Sequence, residues 1–193
     1  MSDEVFPRTV ITSDRLRLRP FEASDVPEVH AAWHEERFVS TAPVGYPYAN
    51  AGLKTAFEWC TLGTEKHRLD GKGVSFAVEP REGGRLIGHV ALFDADWTSR
   101  NAEIHYWTAA WARGNGYAAE AANAVATWAL RDIAYERISL HAATANSASR
   151  HVADSAGFQF EGTLRNFAPT RSGTRTDLAV YSLIKQDLRP AAG

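Results

Sequence analysis

The chain has 193 residues, 45% of them hydrophobic and 23% charged, which is enough apolar material for one globular core and excludes a disordered chain. A formal net charge of −2 gives no overall basic footprint for nucleic acid, and no apolar run is long enough to cross a bilayer. Cys60 is the single cysteine, so no intrachain disulfide can form; the opening MSDEVFPRTV lacks the basic-then-apolar order of a secretory leader, and the expected compartment is the cytoplasm.

The first element is a strand in DRLRLRPF, where Leu16 and Leu18 alternate with Arg15, Arg17 and Arg19 until Pro20 stops the run. SDVPEVHAAW then reads as a helix with Asp25 as cap, Glu28 three residues on, and Val26, Val29 and Trp33 at helical spacing. A turn-rich PVGYPY leads to a second helix over about 51–62, expected to turn Leu53, Phe57 and Cys60 inward. GVSFAVEP and RLIGHVALFD read as a hairpin around REGG, and WTSRN turns the chain into a further strand, AEIHYW. A Gly-rich loop, a helix over about 117–132, the apolar strand RISLHAA, a short helix ended by Gly157, the strand FQFEGTLR, a loop or hairpin end in NFAPTRSGTRT and the strand DLAVYSLI complete the chain. The order β-α-α-β-β-β-α-β-α-β-β predicts one α/β domain over 1–193: a central mixed sheet with helices on both faces.

The informative stretch is WARGNGYAAEA. A glycine-rich turn ahead of a helix lets unpaired backbone N–H groups face an anion without a Cβ in the way, aided by the partial positive charge of the helix start. The donors would be the amides of Gly114, Asn115, Gly116, Tyr117 and their neighbours, with Arg113 adding charge. The turn is not a Walker A loop, because no Gly-Lys-Ser/Thr follows, and Ala119 stands where G-x-G-x-x-G needs its third glycine.

At this point the sequence resembles the GNAT acetyltransferase superfamily, in its RimJ/RimL-like branch. Arg113, Gly116 and Ala118 match the signature Arg/Gln-x-x-Gly-x-Gly/Ala, and NSASRHVADSAGFQFEGTLRN, SDRLRLRPF, AEIHYW and DLAVYSLIKQDL match in order along nearly the whole chain. The resemblance implies a GNAT fold whose loop amides hold the diphosphate of acetyl-CoA, with Trp107, Arg113 to Ala118, Asn146 and Ser149 as its contacts. It implies a strand that splays from its neighbour to admit the acetyl group, and an amine acceptor: a protein N-terminus, as in ribosomal proteins, or a small amine.

For the base, Glu103 and His105 share one face of AEIHYW; His105 departs from the glycine that relatives of this branch often carry. Ser149 stands where the branch places a serine that hydrogen-bonds the CoA sulfur, and Asn146 caps its helix and by resemblance meets the pantetheine arm. Asp177 is expected either to orient the acceptor amine or to pair with Arg175. Tyr46 and Tyr48, with Phe38 and Trp59, are candidates for an acceptor wall. Tyr106 and Tyr181 read as core aromatics, His141 as a packed histidine and Cys60 as a packing residue. No histidine spacing suggests a metal site, and none is expected. The resemblance allows a homodimer, though no residue pattern demands one. Beside the enzyme stands an alternative, a catalytically silent acyl-CoA-binding regulatory module.

Overall fold

The computed structural model describes residues 4–36, 48–170 and 173–188. Eight strands form one sheet: β1 (Ile11–Thr12), β2 (Leu16–Arg19), β3 (Val74–Pro80), β4 (Gly88–Asp96), β5 (Asn101–Thr108), β6 (Arg137–Ala143), β7 (Gln159–Pro169) and β8 (Arg175–Ile184). Their spatial order is β1-β2-β3-β4-β5-β6-β8-β7, antiparallel except for β5 beside β6. Helices α1 (Val26–Trp33) and α2 (Leu53–Glu58 continued through Thr64–Leu69) pack on one face; α3 (Tyr117–Arg131) and α4 (Ser147–Ser155) pack on the other. Helix α2 runs as Leu53–Glu58, a π-helical turn Trp59–Gly63, and Thr64–Leu69.

The two faces carry separate cores. Leu16, Leu18, Phe76, Val90, Ala102, Ile104, Ile138 and Leu140 meet the small-residue stripe Ala122, Val125, Ala126 and Ala129 of α3. Alanines let that helix lie close to the sheet, and Phe6, Trp97, Trp128 and Tyr135 fill the end of the layer. On the opposite face Phe21, Val29, Trp33, Ala56, Trp59 and Cys60 make a smaller, aromatic cluster.

Three expectations change. Helix α2 is longer than expected and rotated: Leu53 and Phe57 are exposed, 57% and 51%, while Ala56, Trp59 and Cys60 face inward. Trp59 decides the rotation, since its ring packs on both Phe21 and Trp33 at centroid distances of 4.7 and 5.4 Å. Asp25 makes no side-chain cap bond. Its carboxylate takes two hydrogen bonds from Arg19 at 2.8 Å and one from the Glu22 N–H at 2.8 Å. Arg19, on the face away from Leu16 and Leu18, is therefore buried between Asp25 and Glu79, which satisfies all three charges. The stretch after Arg165, read as a loop or hairpin end, is a hairpin end whose strands run further than expected: β7 extends to Pro169 and β8 begins at Arg175.

One irregularity shapes the site. Strand β5 pairs with β4 as far as Thr108, but with β6 only from Asn101 to Glu103, opposite Arg137 to Ser139. Strand β6 meanwhile follows β8 to Ala143. Beyond Glu103 the two parallel strands therefore part, and a wedge opens in the sheet. At the same level β4 shifts register between Phe93 and Asp96, with Asp94 at φ 47°. A bulge increases local twist and bends its strand, and this one lies on the far side of β5 from the opening.

Candidate active site

The mouth of the wedge is lined by two helix starts. Gly116, at φ 76°, is the left-handed residue before α3, and Gly114 has φ 79°; only glycine takes these angles without strain. The first bond back along α3 runs from the Glu120 N–H to the Gly116 carbonyl at 3.1 Å, so the amides of Tyr117, Ala118 and Ala119 precede it and have no intrahelical acceptor. Asn115 faces its own turn: its side-chain amide donates to the carbonyls of Ala112 and Arg113 at 3.1 and 3.0 Å. Arg15 closes the back of the loop, donating to the Asn115 carbonyl at 3.0 Å and pairing with Glu120.

Arg113 does not turn its charge to the cradle. Its guanidinium grips both carboxylate oxygens of Glu35, and its Nε donates to the Thr108 carbonyl at 3.1 Å. It ties the loop to the end of β5 and to the segment after α1. The positive end of the cradle is thus the helix terminus itself.

The second helix start is α4. Asn146 caps it as expected, its Oδ1 accepting the Ser149 N–H at 3.1 Å. The Ser149 Oγ lies 2.8 Å from the Tyr106 hydroxyl, which also reaches the Ser149 carbonyl at 3.2 Å. Tyr106, read from sequence as a core aromatic, is therefore half of a hydroxyl pair spanning β5 and α4. Burial pushes its phenol up to about 12, against the opposing pull of the Ser149 bond, so it stays a neutral donor. The Asn123 amide donates to the Ala156 carbonyl at 2.9 Å, fixing α3 against α4.

On the opposite face of β5 stand Glu103, His105 and Trp107. Glu103 sits at the apex, on the last paired position of β5, and its Oε2 is 3.0 Å from the Nδ1 of His141 on β6. Both side chains keep 24% of their area exposed. His141, expected as a packed histidine, is an ion-pair partner; its hydrogen bond to Glu103 raises its pKa above the usual 6.5, with burial pulling the other way. His105 behaves oppositely. Burial pushes it down to about 4, and among the described residues its Nε2 has no hydrogen-bond partner. Such an imidazole is neutral and a weak proton acceptor, which the alternation of AEIHYW does not reveal. Its ring lies between Phe93 and His89, at 4.9 and 5.1 Å. Trp107 belongs to the same aromatic layer, 6.2 Å from His89. His89, which no sequence pattern singles out, is wholly buried among Phe21, Trp59 and Trp107.

The remaining candidates are dispersed. Tyr48 stacks on Trp33 at 4.9 Å, beneath the aromatic layer. Tyr46 and Phe38 lie outside the described residues. Asp177 does not pair with Arg175: its Oδ1 accepts the N–H of Asn166 at 2.6 Å, in the irregular stretch of β7. Arg175 donates instead to the carbonyls of Asn166 and Phe167. Cys60 is buried and its thiol is pushed up to about 12 by desolvation, as suits a packing residue. Among the described residues no cluster of His, Cys, Asp and Glu could hold a metal ion, and no helix is long and apolar enough to cross a membrane.

Residues 15–159 match the family model described as "Acetyltransferase (GNAT) domain". A Bacillus subtilis protein named "Putative ribosomal N-acetyltransferase YdaF" is 35% identical over 104 residues, which is 54% of this chain and 56% of that protein, so the match spans little more than half of the relative's length. Among solved structures, RimJ of Mycobacterium smegmatis in complex with CoA-disulfide superposes with a TM-score of 0.82 at 19% identity, covering 95% of this chain and 90% of that one. The microcin C7 self-immunity acetyltransferase MccE, in complex with acetyl-CoA and AMP, does so with 0.80 at 18% identity, covering 94% and 98%. At these identities the superpositions establish the fold. The glycine turn, the parted strands and a family match over most of the chain agree: the chain belongs to the GNAT acetyltransferase family.

Proposed function

We propose that this protein moves the acetyl group of acetyl-CoA to a primary amine by direct attack on the thioester, and that the amine is the N-terminus of a ribosomal-type protein, with small amines as the competing class. The observation that carries this reading is the parting of β5 from β6 at Glu103, with a cradle of helix-start amides at its mouth. The diphosphate would rest on the amides of Gly114 to Ala118, leaving the pantetheine arm to run past Asn146 and Trp107 into the wedge. Backbone N–H groups of β5 that have lost their β6 partners would receive the carbonyl oxygen as it gains charge.

The chemistry needs no enzyme nucleophile. The amine nitrogen forms the new C–N bond, the C–S bond breaks, and the CoA thiolate departs. The Ser149 hydroxyl would hydrogen-bond that sulfur, with the Tyr106 hydroxyl 2.8 Å behind it. The proton lost by the amine leaves on the Glu103 side, the acidic side of the apex. Asp177 acts on the acceptor only indirectly, by holding the β7 irregularity beside it, and Tyr48 only by supporting the aromatic wall. We place the enzyme in the cytoplasm.

Protein mixed with acetyl-CoA and a panel of ribosomal N-terminal peptides, polyamines and aminoglycosides should release free thiol with at least one acceptor. Glu103→Gln should lower that turnover about tenfold at neutral pH while acetyl-CoA binding, read by calorimetry, stays unchanged. Binding without thiol release from any amine would replace the enzyme with a silent acyl-CoA-binding module.

A further inference from the structure

We propose that His141 is the general base of the site, its Nε2 taking the proton from the attacking amine, while Glu103 holds the ring through Nδ1. This deepens the acetyl-transfer reading and rests on it. The argument is geometric. On β6, Ser139 is the last residue paired with β5, opposite Glu103, and His141 lies two residues further out on the same face. His141 therefore stands inside the wedge, where the parted strands leave room for an acceptor. Its Nδ1 lies 3.0 Å from the Glu103 Oε2, so the carboxylate fixes the tautomer with the proton on Nδ1 and leaves Nε2 as the accepting nitrogen. The pair is one-quarter exposed, open enough for an amine to reach and enclosed enough for the charges to matter.

In the step itself, the N–H bond of the amine breaks as its C–N bond forms, and the proton passes to Nε2. The resulting imidazolium is stabilised by the Glu103 carboxylate until it returns the proton to solvent. The neighbouring groups permit this. On β8 the residue opposite His141 is the apolar Val180. On β6 Arg137 opposes a positive charge, but its guanidinium is paired with Glu161 of β7, which Ser182 of β8 also hydrogen-bonds. On β5 His105 is neutral at working pH. Glu103 is thus the near charge that governs the ring, and it favours the protonated form.

A neutral imidazole is the active form, so kcat/KM should rise with pH through a limb above the ordinary imidazole value. In His141→Gln turnover should fall about 100-fold and the limb should vanish. In Glu103→Gln the limb should move to lower pH, because the bond that raises the ring's pKa is gone, and the rate on the plateau should fall less than in His141→Gln. Acetyl-CoA affinity should be unchanged in both, which also reports that they fold. In the wild-type protein, NMR titration should place His141 above 6.5 and in Glu103→Gln lower. A limb that survives in His141→Gln would belong to the acceptor amine and would overturn the assignment, returning the base role to Glu103. Wild-type protein that releases no thiol with any amine would overturn the transferase reading and this base together.

Discussion

The two faces of β5 do different work from adjacent residues. Ala102 and Ile104 lie in the alanine-lined core under α3, and Tyr106 ends that row in a hydroxyl pair with Ser149. Glu103, His105 and Trp107 look the other way, toward a salt-bridged imidazole at the apex and then an aromatic layer. On one face the Tyr106 hydroxyl is matched to that of Ser149. On the other, two buried histidines have ring nitrogens without a hydrogen-bond partner among the described residues. The leaving group would meet the matched face and the acceptor the other, so one strand separates the two ends of the reaction.

The largest lever is the alignment of β4 with β5, which both faces share. Gly88 lies opposite Thr108, and a Cβ there would come within 2.2 Å of the Trp107 carbonyl oxygen. Backbone cannot yield as a flexible side chain does. Gly88→Ala should therefore cost about 3 kcal/mol or more, read as a lowered urea midpoint, and should impair both faces together. If Gly88→Ala lost only acetyl-CoA binding and kept its stability, the faces would be less tightly joined than the register implies.

A second test works within the acceptor face and separates its apex from its aromatic layer by pH. His105 sits at about 4 in the fold against 6.5 when free, so between those values the unfolded chain binds a proton that the folded chain refuses. Stability from this group is complete above 6.5 and is lost as pH falls toward 4. His89, held well below 6.5 by burial, and His67, also lowered by burial, add to the same trend. His141 works in reverse: its raised pKa contributes stability below 6.5 that disappears as pH climbs through its folded value. Three groups against one should leave the protein about 2 kcal/mol or more less stable at pH 5 than at pH 7 by denaturant titration. His105→Phe, which keeps a ring against Phe93, should flatten the profile. A protein more stable at pH 5 would mean that the His141 pair outweighs the aromatic layer.

Alternation explains how much of this could be read in advance. AEIHYW places Glu103 and His105 on one face and Tyr106 on the other without any coordinates, and the glycines before α3 mark a left-handed turn. Partners across the sheet were not legible. Glu103 meets His141 because of the β5–β6 register, and Arg113 meets Glu35 because the glycine loop comes beside the segment after α1, and neither has a local pattern in the chain. Short apolar stretches misled for a related reason. Leu53 and Phe57 suggest an inward stripe in α2, yet Trp59, the larger ring, takes the core and turns them out. A buried Arg19 was hidden likewise, since its match with Asp25 and Glu79 depends on where β2 pairs with β3.

The smallest effect we argue concerns the matched face. Tyr106→Phe and Ser149→Ala should each lower kcat about tenfold at saturating acetyl-CoA, the scale of one hydrogen bond to the sulfur. Stability should suffer little in Ser149→Ala, because the Tyr106 hydroxyl still has the Ser149 carbonyl 3.2 Å away. The double variant decides whether the pair acts as one. With the hydroxyls 2.8 Å apart, Tyr106 can polarise Ser149, and Ser149 can polarise the sulfur. Removing either member then breaks the same chain, so the double variant should be no slower than the worse single. Effects that multiply to about a hundredfold would instead mean that each hydroxyl reaches the thioester by itself, and that the matched face is two donors side by side.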